Sequence, residues 1–223
     1  MTEQNKDINL DSVSLPQDLK GMTKGELEQL ASQIRERLIE IGNKCGGHLA
    51  SNLGVVELTI AMHAVFESPK DKLIWDTSHQ TYVHKMLTGR LDKMFTIRQD
   101  GGLCGFSNIK ESDHDIFGAG HAATALSAGL GLAFSREMKK ENHSVVSIIN
   151  DATLSSGMVF EALNNIDRLP PKSNFICILN DNNMFISNPV GSMAKYMTQV
   201  RTSATYNKAK LKFERFFDRI PKI

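Results

Sequence analysis

A strand–helix–strand pattern between residues 144 and 187 decides the class of fold. Two short apolar runs, Val145–Ile149 and Phe175–Leu179, are rich in β-branched and aromatic residues, as buried parallel strands are. Between them, Gly157–Arg168 has apolar residues near helical spacing and stops at a Pro-Pro pair. The pattern predicts a βαβ unit within an α/β fold, a doubly wound, mostly parallel sheet with helices on both faces.

Small polar residues follow each apolar run. Asn150-Asp151-Ala152 comes after the first run, and Asn180-Asp181-Asn182 after the second. Because ligands of doubly wound sheets bind at the carboxyl edge, where parallel strands end together, we expect Asp151 and Asn182 to lie close in space. A carboxylate and an amide oxygen suit Mg²⁺ with phosphate oxygens completing its shell. The spacing alone leaves open that both are ordinary turn residues.

Charge and cysteine content limit the partners and the cellular compartment that can be expected. The net charge of +1 over 223 residues argues against a general nucleic-acid partner. The three cysteines have no zinc spacing and cannot all pair, which favours a reducing compartment, so a cytoplasmic location is expected. Cys177 falls inside the second apolar run and is expected to be a small core residue. No stretch of the sequence is long enough to span a membrane.

The rest of the chain supplies further helices around the sheet. A capping box at Thr23 and Glu26 begins an amphipathic helix over Lys24–Ile41, which the glycines from Gly42 onward should end. We divide the chain into a flexible arm (1–20), an α/β domain (21–196) and a basic amphipathic tail of the same domain (197–223). Other elements are predicted at Val55–Phe66, Lys72–Asp76, Tyr82–Leu87, Leu91–Gln99 and Ala122–Lys139.

Three further positions are candidates for a site. His48 follows a glycine pair, which lets the backbone approach a ligand closely. His79 lies in the loop after the predicted strand Lys72–Asp76, at the same sheet edge as Asp151. Gly120 precedes a helix start, where backbone N–H groups can face an anion. The plainer alternatives are a structural histidine and a tight loop.

Together these stretches resemble the amino-terminal part of the 1-deoxy-D-xylulose-5-phosphate synthase family, which is thiamine diphosphate-dependent and related to transketolase. The likeness covers nearly all of the chain after about residue 15, in the family's order and spacing. The segments that carry it are Gly46–Thr59, Asp71–Asp76, His79-Gln80, His84–Arg90, Gly120-His121, Gly157–Asn164, Leu179–Asn182 and Val200–Asn207.

The resemblance implies a thiamine diphosphate-binding fold and a transferase that uses thiamine diphosphate and Mg²⁺. Its reaction condenses pyruvate with glyceraldehyde 3-phosphate, releases CO₂, and feeds isoprenoid and thiamine synthesis. It also implies a homodimer, or a second chain that supplies further domains.

The resemblance also implies site residues by position. Asp151, Asn182 and the main-chain oxygen of Met184 are the expected Mg²⁺ ligands, and His48 is the expected catalytic residue. Contacts to the cofactor are expected at His79, Gly120, His121, Ala122, Ala152, Thr153 and Asn182.

This sequence departs from the family in the cofactor pocket and in length. The family's Gly-Asp-Gly-Ala is Asn150-Asp-Ala-Thr153 here, its Gly-His-Ser-Ser is Gly120-His-Ala-Ala123, and Ser78 replaces a glycine. Side chains at 150 and 152 need room, and a positive φ there would add strain, so weakened cofactor binding is expected.

The family continues well beyond the last residue of this sequence. We therefore expect a diphosphate-binding domain incomplete at its C-terminal end, with an uncovered sheet edge, and a chain inactive alone. The alternative is a non-catalytic or split-subunit relative that binds a synthase or a second chain carrying the missing domains.

Overall fold

The computed structural model of this protein describes residues 8–180 and Ser203, and within them three parallel strands form a sheet. The strands are β1 (Lys72–Trp75), β2 (Val145–Asn150) and β3 (Phe175–Asn180), in the spatial order β1-β2-β3. Both pairings are parallel, so the predicted α/β class and the βαβ unit are confirmed. The predictions for Asn182, for Met184 and, Ser203 apart, for the tail 197–223 lie outside the described residues.

The part of the chain that is described contains six α-helices. They are α1 (Lys24–Cys45), α2 (Leu49–Leu53), α3 (Val56–Val65), α4 (Tyr82–Lys85), α5 (Ala125–Lys139) and α6 (Gly157–Asn165). A π-helical turn (Met86–Arg90) continues α4. Short 3₁₀ turns lie at Gln17–Gly21, Leu91–Thr96, Asp151–Ser155 and Ile166–Arg168.

Helices cover both faces of the sheet because strand side chains alternate. One face packs against α5 and α6, through a cluster that includes Ile74, Val145 and Ile149. The opposite face packs against α3, through Leu73, Trp75, Val146, Ile148 and Met62. This arrangement is the doubly wound architecture that the sequence predicts.

Helix α1 begins at the predicted capping box and extends further than predicted. The Thr23 hydroxyl accepts from the Glu26 N–H at 3.3 Å, and the Glu26 carboxylate accepts from the Thr23 N–H at 2.7 Å. The helix passes Gly42, whose lack of a side chain leaves room for Leu49, and ends at Gly46. Gly46 has φ = +67°, a conformation that favours glycine at a helix end.

Residues 8–20 pack against α1, whereas the sequence predicted a flexible arm over 1–20. Leu10 and Leu19 are buried in the same apolar cluster as α1. The side chain of Gln33 accepts from the Leu10 N–H at 2.8 Å and donates to the Ile8 carbonyl at 2.5 Å. The arm is polar on average, so its composition does not reveal that Leu10 and Leu19 pack it against α1.

Strand β3 is less buried than predicted. Cys177 is exposed, and Ile176 and Leu179 are 38% and 42% exposed. The expectation of a core position for Cys177 was therefore wrong. The cause is incomplete covering of its faces, since β1, the other outer strand, is buried, whereas the described part of the chain leaves side chains of β3 open to solvent.

Candidate functional site

The three strands end at one edge of the sheet, and the loops that follow them begin there. Asn150 pairs with Asn180 in register, and the Asp76 N–H donates to the Ile148 carbonyl at 2.8 Å. The loop that carries His79 therefore leaves the sheet at the same edge as Asp151. This is the edge at which ligands of parallel α/β sheets bind.

Asp76, directly after β1, holds the beginning of α5 at this edge. Its buried carboxylate accepts backbone N–H groups from Ala123 and Thr124 at 3.0 Å and from Ala125 at 3.2 Å. A carboxylate at a helix N-terminus is favourable because the helix dipole and the unpaired N–H groups attract it. This role of Asp76 was not predicted, because the sequence pattern assigns Asp76 to the strand, although an aspartate at a strand end was a usable signal.

The loop before α5 presents its side chains to solvent. His121 and Ala122 are exposed, and Gly120 has φ = +149°, a conformation that suits glycine. The Thr124 hydroxyl donates to the His121 carbonyl at 3.1 Å. Asp76 and Thr124 thus fix the backbone of the Gly120–Ala122 segment while its outer surface remains accessible.

His48 and His79 lie side by side. Their ring centroids are 5.2 Å apart with the planes at 77°, and His48 is exposed while His79 is half-buried. Burial, and then the neighbouring His48, lower the pKa of His79, and Asp76 acts in the opposite direction. The lowered pKa favours the neutral imidazole of His79, in which one nitrogen can donate and the other can accept.

The glycine pair before His48 makes room for a protein side chain. Gly47 has φ = +113°, and a Cβ added there would overlap the Tyr82 hydroxyl. A Cβ on Gly46 would lie 3.2 Å from Arg98 Nη1. The absence of side chains at Gly46 and Gly47 thus lets Tyr82 and Arg98 lie close to the backbone. Arg98 was not singled out in the sequence, and it adds an exposed cation beside the loop of His48.

Asp151 begins the 3₁₀ turn that follows β2, and the backbone there is relaxed. Asn150 is extended (φ −98°, ψ 152°), and neither it nor Ala152 has a positive φ. The strain expected at these two positions is therefore absent. Ala152 is exposed, whereas Thr153 is buried and its hydroxyl donates to the Asn150 carbonyl at 2.7 Å.

Only part of the predicted metal site falls within the described residues. Of the three expected Mg²⁺ ligands, Asp151 alone falls within residues 8–180. Over that range no group of three or more His, Cys, Asp or Glu side chains is arranged to hold a metal ion. The expected ligand set does not require such a group, because it combines one carboxylate with an amide and a main-chain oxygen.

A buried polar cluster lies beneath the histidine loops. Asp115 accepts from both terminal nitrogens of Arg90 at 2.8 Å and contacts His84 Nε2 at 3.1 Å. His84 Nδ1 is in turn 2.9 Å from His63 Nε2. Asp115 and the imidazole of His84 are both inaccessible to solvent, so this cluster is structural and was not predicted from the sequence.

Comparison with known proteins identifies relatives along nearly the whole chain. A family model described as 1-deoxy-D-xylulose-5-phosphate synthase, N-terminal, matches residues 10–223. A 1-deoxy-D-xylulose-5-phosphate synthase of Syntrophomonas wolfei is 49% identical over 96% of the chain and 33% of its own length. One from Dehalococcoides mccartyi is 55% identical over 90% of the chain and 31% of its own length.

The chain therefore spans about a third of the curated relatives that it matches. A third relative with the same name, from Caldanaerobacter subterraneus, is 50% identical over 96% of the chain. Among the described residues, no helix is both long and apolar enough to cross a membrane.

Proposed function

The chain belongs to the 1-deoxy-D-xylulose-5-phosphate synthase family, by its amino-terminal part, and from this we propose that it forms the diphosphate-binding portion of a thiamine diphosphate site. The family depends on thiamine diphosphate. The whole protein would condense pyruvate with glyceraldehyde 3-phosphate, with loss of CO₂, as a transferase in isoprenoid and thiamine precursor synthesis.

The observation that carries the proposal is the shared sheet edge. The loop of His79 and the turn at Asp151 follow the carboxyl ends of β1 and β2, and Asp76 holds the start of α5 beside them. His121, Ala122 and Ala152 are exposed there, and the backbone around Asn150 is unstrained. An anionic group could approach this edge without rearrangement of the described backbone.

We assign the following roles to the residues of this chain. Asp151, Asn182 and the main-chain oxygen of Met184 would bind Mg²⁺, and Ala152 and Thr153 would face the diphosphate through their backbone.

The two histidines have separate roles in the proposal. His79, whose lowered pKa favours the neutral imidazole, would donate to or accept from the cofactor. His48, which is exposed beside it, would face the substrate and transfer a proton. Gly120, His121 and Ala122 would contact the cofactor from the loop that Asp76 holds. When bound, the cofactor supplies a nucleophilic carbanion and an electron sink.

The proposal is tested by thermal unfolding of the chain with and without Mg²⁺ and thiamine diphosphate. Ligand at a hundred times its dissociation constant adds about 2.7 kcal/mol to the free energy of unfolding, an increase of several degrees in Tm. Asp151→Ala should abolish the increase. The control variant Asp167→Ala removes an exposed carboxylate of the same βαβ unit, away from the carboxyl ends of the strands. This variant should retain the increase in Tm.

The opposite result has a definite meaning. A folded chain whose Tm does not change at millimolar cofactor would contradict cofactor binding. It would favour the alternative of a non-catalytic relative that acts by binding a synthase. A Tm increase that survives in Asp151→Ala would contradict the assigned metal ligand.

A further inference from the structure

Asn52 connects the two loops that carry the histidines. It lies in α2 and is completely buried. Its side-chain Nδ2 donates to the His48 carbonyl at 2.8 Å and to the His79 carbonyl at 2.9 Å. Its Oδ1 accepts the Tyr82 N–H at 2.9 Å. One side chain thus bonds to both histidine-bearing segments and to the first residue of α4.

The chemistry of this position is specific to an amide. Two carbonyl oxygens need two donors, and a backbone N–H needs an acceptor, all within one side chain. A carboxylate provides no donor, and a hydroxyl provides only one. Exchanging the amide N and O would point an oxygen at two carbonyls, so the bonding pattern defines the orientation.

The loop of His79 needs such support because its backbone is strained. Thr77 and Ser78 both have left-handed conformations, with φ of 56° and 62°. Non-glycine residues adopt consecutive values of this kind only where surrounding contacts hold them. Asn52 supplies one of these contacts from outside the loop, directly at His79.

We propose that Asn52 is a positioning residue that fixes the separation and the relative orientation of the His48 and His79 rings. It acts through hydrogen bonds to their main-chain carbonyls. Its consequence for catalysis rests on the proposed function, since it assumes that both histidines act in one site.

The test is NMR of the histidine rings in the complete 223-residue chain without ligand. The wild-type protein should give a cross-peak between the two rings, whose centroids lie 5.2 Å apart. Asn52→Leu keeps the number and branching of the side-chain heavy atoms and lacks all three hydrogen bonds. The cross-peak should be lost in this variant, and the pKa of His79 should rise toward its ordinary value as the loop opens to solvent.

Thr59→Val is the matched control. Thr59 is also completely buried, and its hydroxyl donates to the Val55 carbonyl at 2.6 Å, in the helix that follows α2. This variant also loses a buried hydrogen bond, but it should keep both the cross-peak and the titration of His79. A folded Asn52→Leu variant that keeps both would overturn the proposal and reduce Asn52 to an ordinary stabilising residue.

A second variant covers the case in which Asn52→Leu does not fold. Asn52→Asp keeps the size and the acceptor for the Tyr82 N–H but loses both donors. It should lose the cross-peak, and a retained cross-peak would overturn the proposal. Because no cofactor is present in these measurements, their outcome is independent of whether the chain binds thiamine diphosphate.

Discussion

The loop that carries His79 shows how single residues accept unfavourable backbone conformations at a candidate site. Ser78 stands where the resembled family has glycine, yet it has φ = 62°. Its hydroxyl accepts the Ser107 N–H at 2.9 Å, and both residues are buried. The left-handed conformation costs about 1–2 kcal/mol for a non-glycine residue, which this hydrogen bond offsets in part.

Two substitutions separate these contributions. Ser78→Ala keeps the strain and loses the acceptor, so it should lower the free energy of unfolding by about 1–3 kcal/mol. Ser78→Gly also loses the acceptor but relieves the strain, so it should be more stable than Ser78→Ala by about 1 kcal/mol. Denaturant unfolding measures both values. Equal stability of the two variants would show that position 78 is not strained.

At the scale of elements, the contact of α5 with the sheet depends on a missing side chain. A Cβ added at Gly129 would overlap the hydroxyl of Ser147 and lie 3.2 Å from the Phe175 ring. Ser147 is itself buried in the central strand, and its hydroxyl donates to the Ala125 carbonyl at 3.1 Å. The helix therefore lies close on the strands, and this proximity keeps its N-terminus within reach of Asp76.

Two glycines of α5 provide a matched test of this packing. Gly129→Ala should lower the free energy of unfolding by about 1–3 kcal/mol, because the helix must move away from β2. Gly131→Ala, two residues later, has no atoms within 4 Å of the new Cβ and should raise it by up to about 1 kcal/mol. The measurement is again denaturant unfolding. Stabilisation by both alanines would exclude a tight helix–sheet contact.

At the scale of the whole described unit, a cluster of buried polar and charged side chains connects segments of the chain that lie outside the strands. The cluster of Asp115, Arg90, His84 and His63 links α3, α4 with its π-helical continuation, and the loop before α5. Burial lowers the pKa of His63 well below its usual range, and His84 lowers it further. Hydrogen bonds from His84 and Arg90 hold the pKa of Asp115 well below its usual range, against the effect of burial.

These pKa values predict a loss of stability in acid. Below about pH 6.5 the unfolded chain binds a proton at His63 that the folded chain does not, so the free energy of unfolding falls as the pH decreases. Asp115 acts in the same direction below about pH 4, where its carboxyl is protonated only in the unfolded chain. Unfolding free energies measured from pH 7 to pH 3 should therefore decline in two stages.

Replacement of His63 isolates the first stage. His63→Leu should remove up to one proton from the difference in proton binding between the unfolded and folded chains. The slope of the free energy of unfolding against pH, below pH 6.5, should therefore fall by up to about 1.4 kcal/mol per pH unit. Met62→Leu, at the adjacent buried position, should leave the slope unchanged, since it alters no titratable group. The prediction fails if His63→Leu retains the full wild-type slope. His79, His84, His114 and His143, whose pKa values burial also lowers, contribute to the slope that remains.

The sequence by itself determined the βαβ order, the parallel sheet, the capping box of α1 and the family. These features rest on local periodicity, which follows from the geometry of helices and strands, and on motifs read along the chain. Helix α1 continues past its predicted end, as far as Cys45. Gly42 does not stop it there, because the position without a side chain packs closely against Leu49.

Only the tertiary structure decided which polar side chains hold the site together. The Asp76 carboxylate bonds to N–H groups 47 to 49 residues away, Asn52 to a carbonyl 27 residues away, and Asp115 to a guanidinium 25 residues away. The docking of Leu10 and the exposure of Cys177 likewise depend on neighbours distant in the chain. Local pattern carries no record of such partners, because a hydrogen bond between remote residues exists only after the chain has folded.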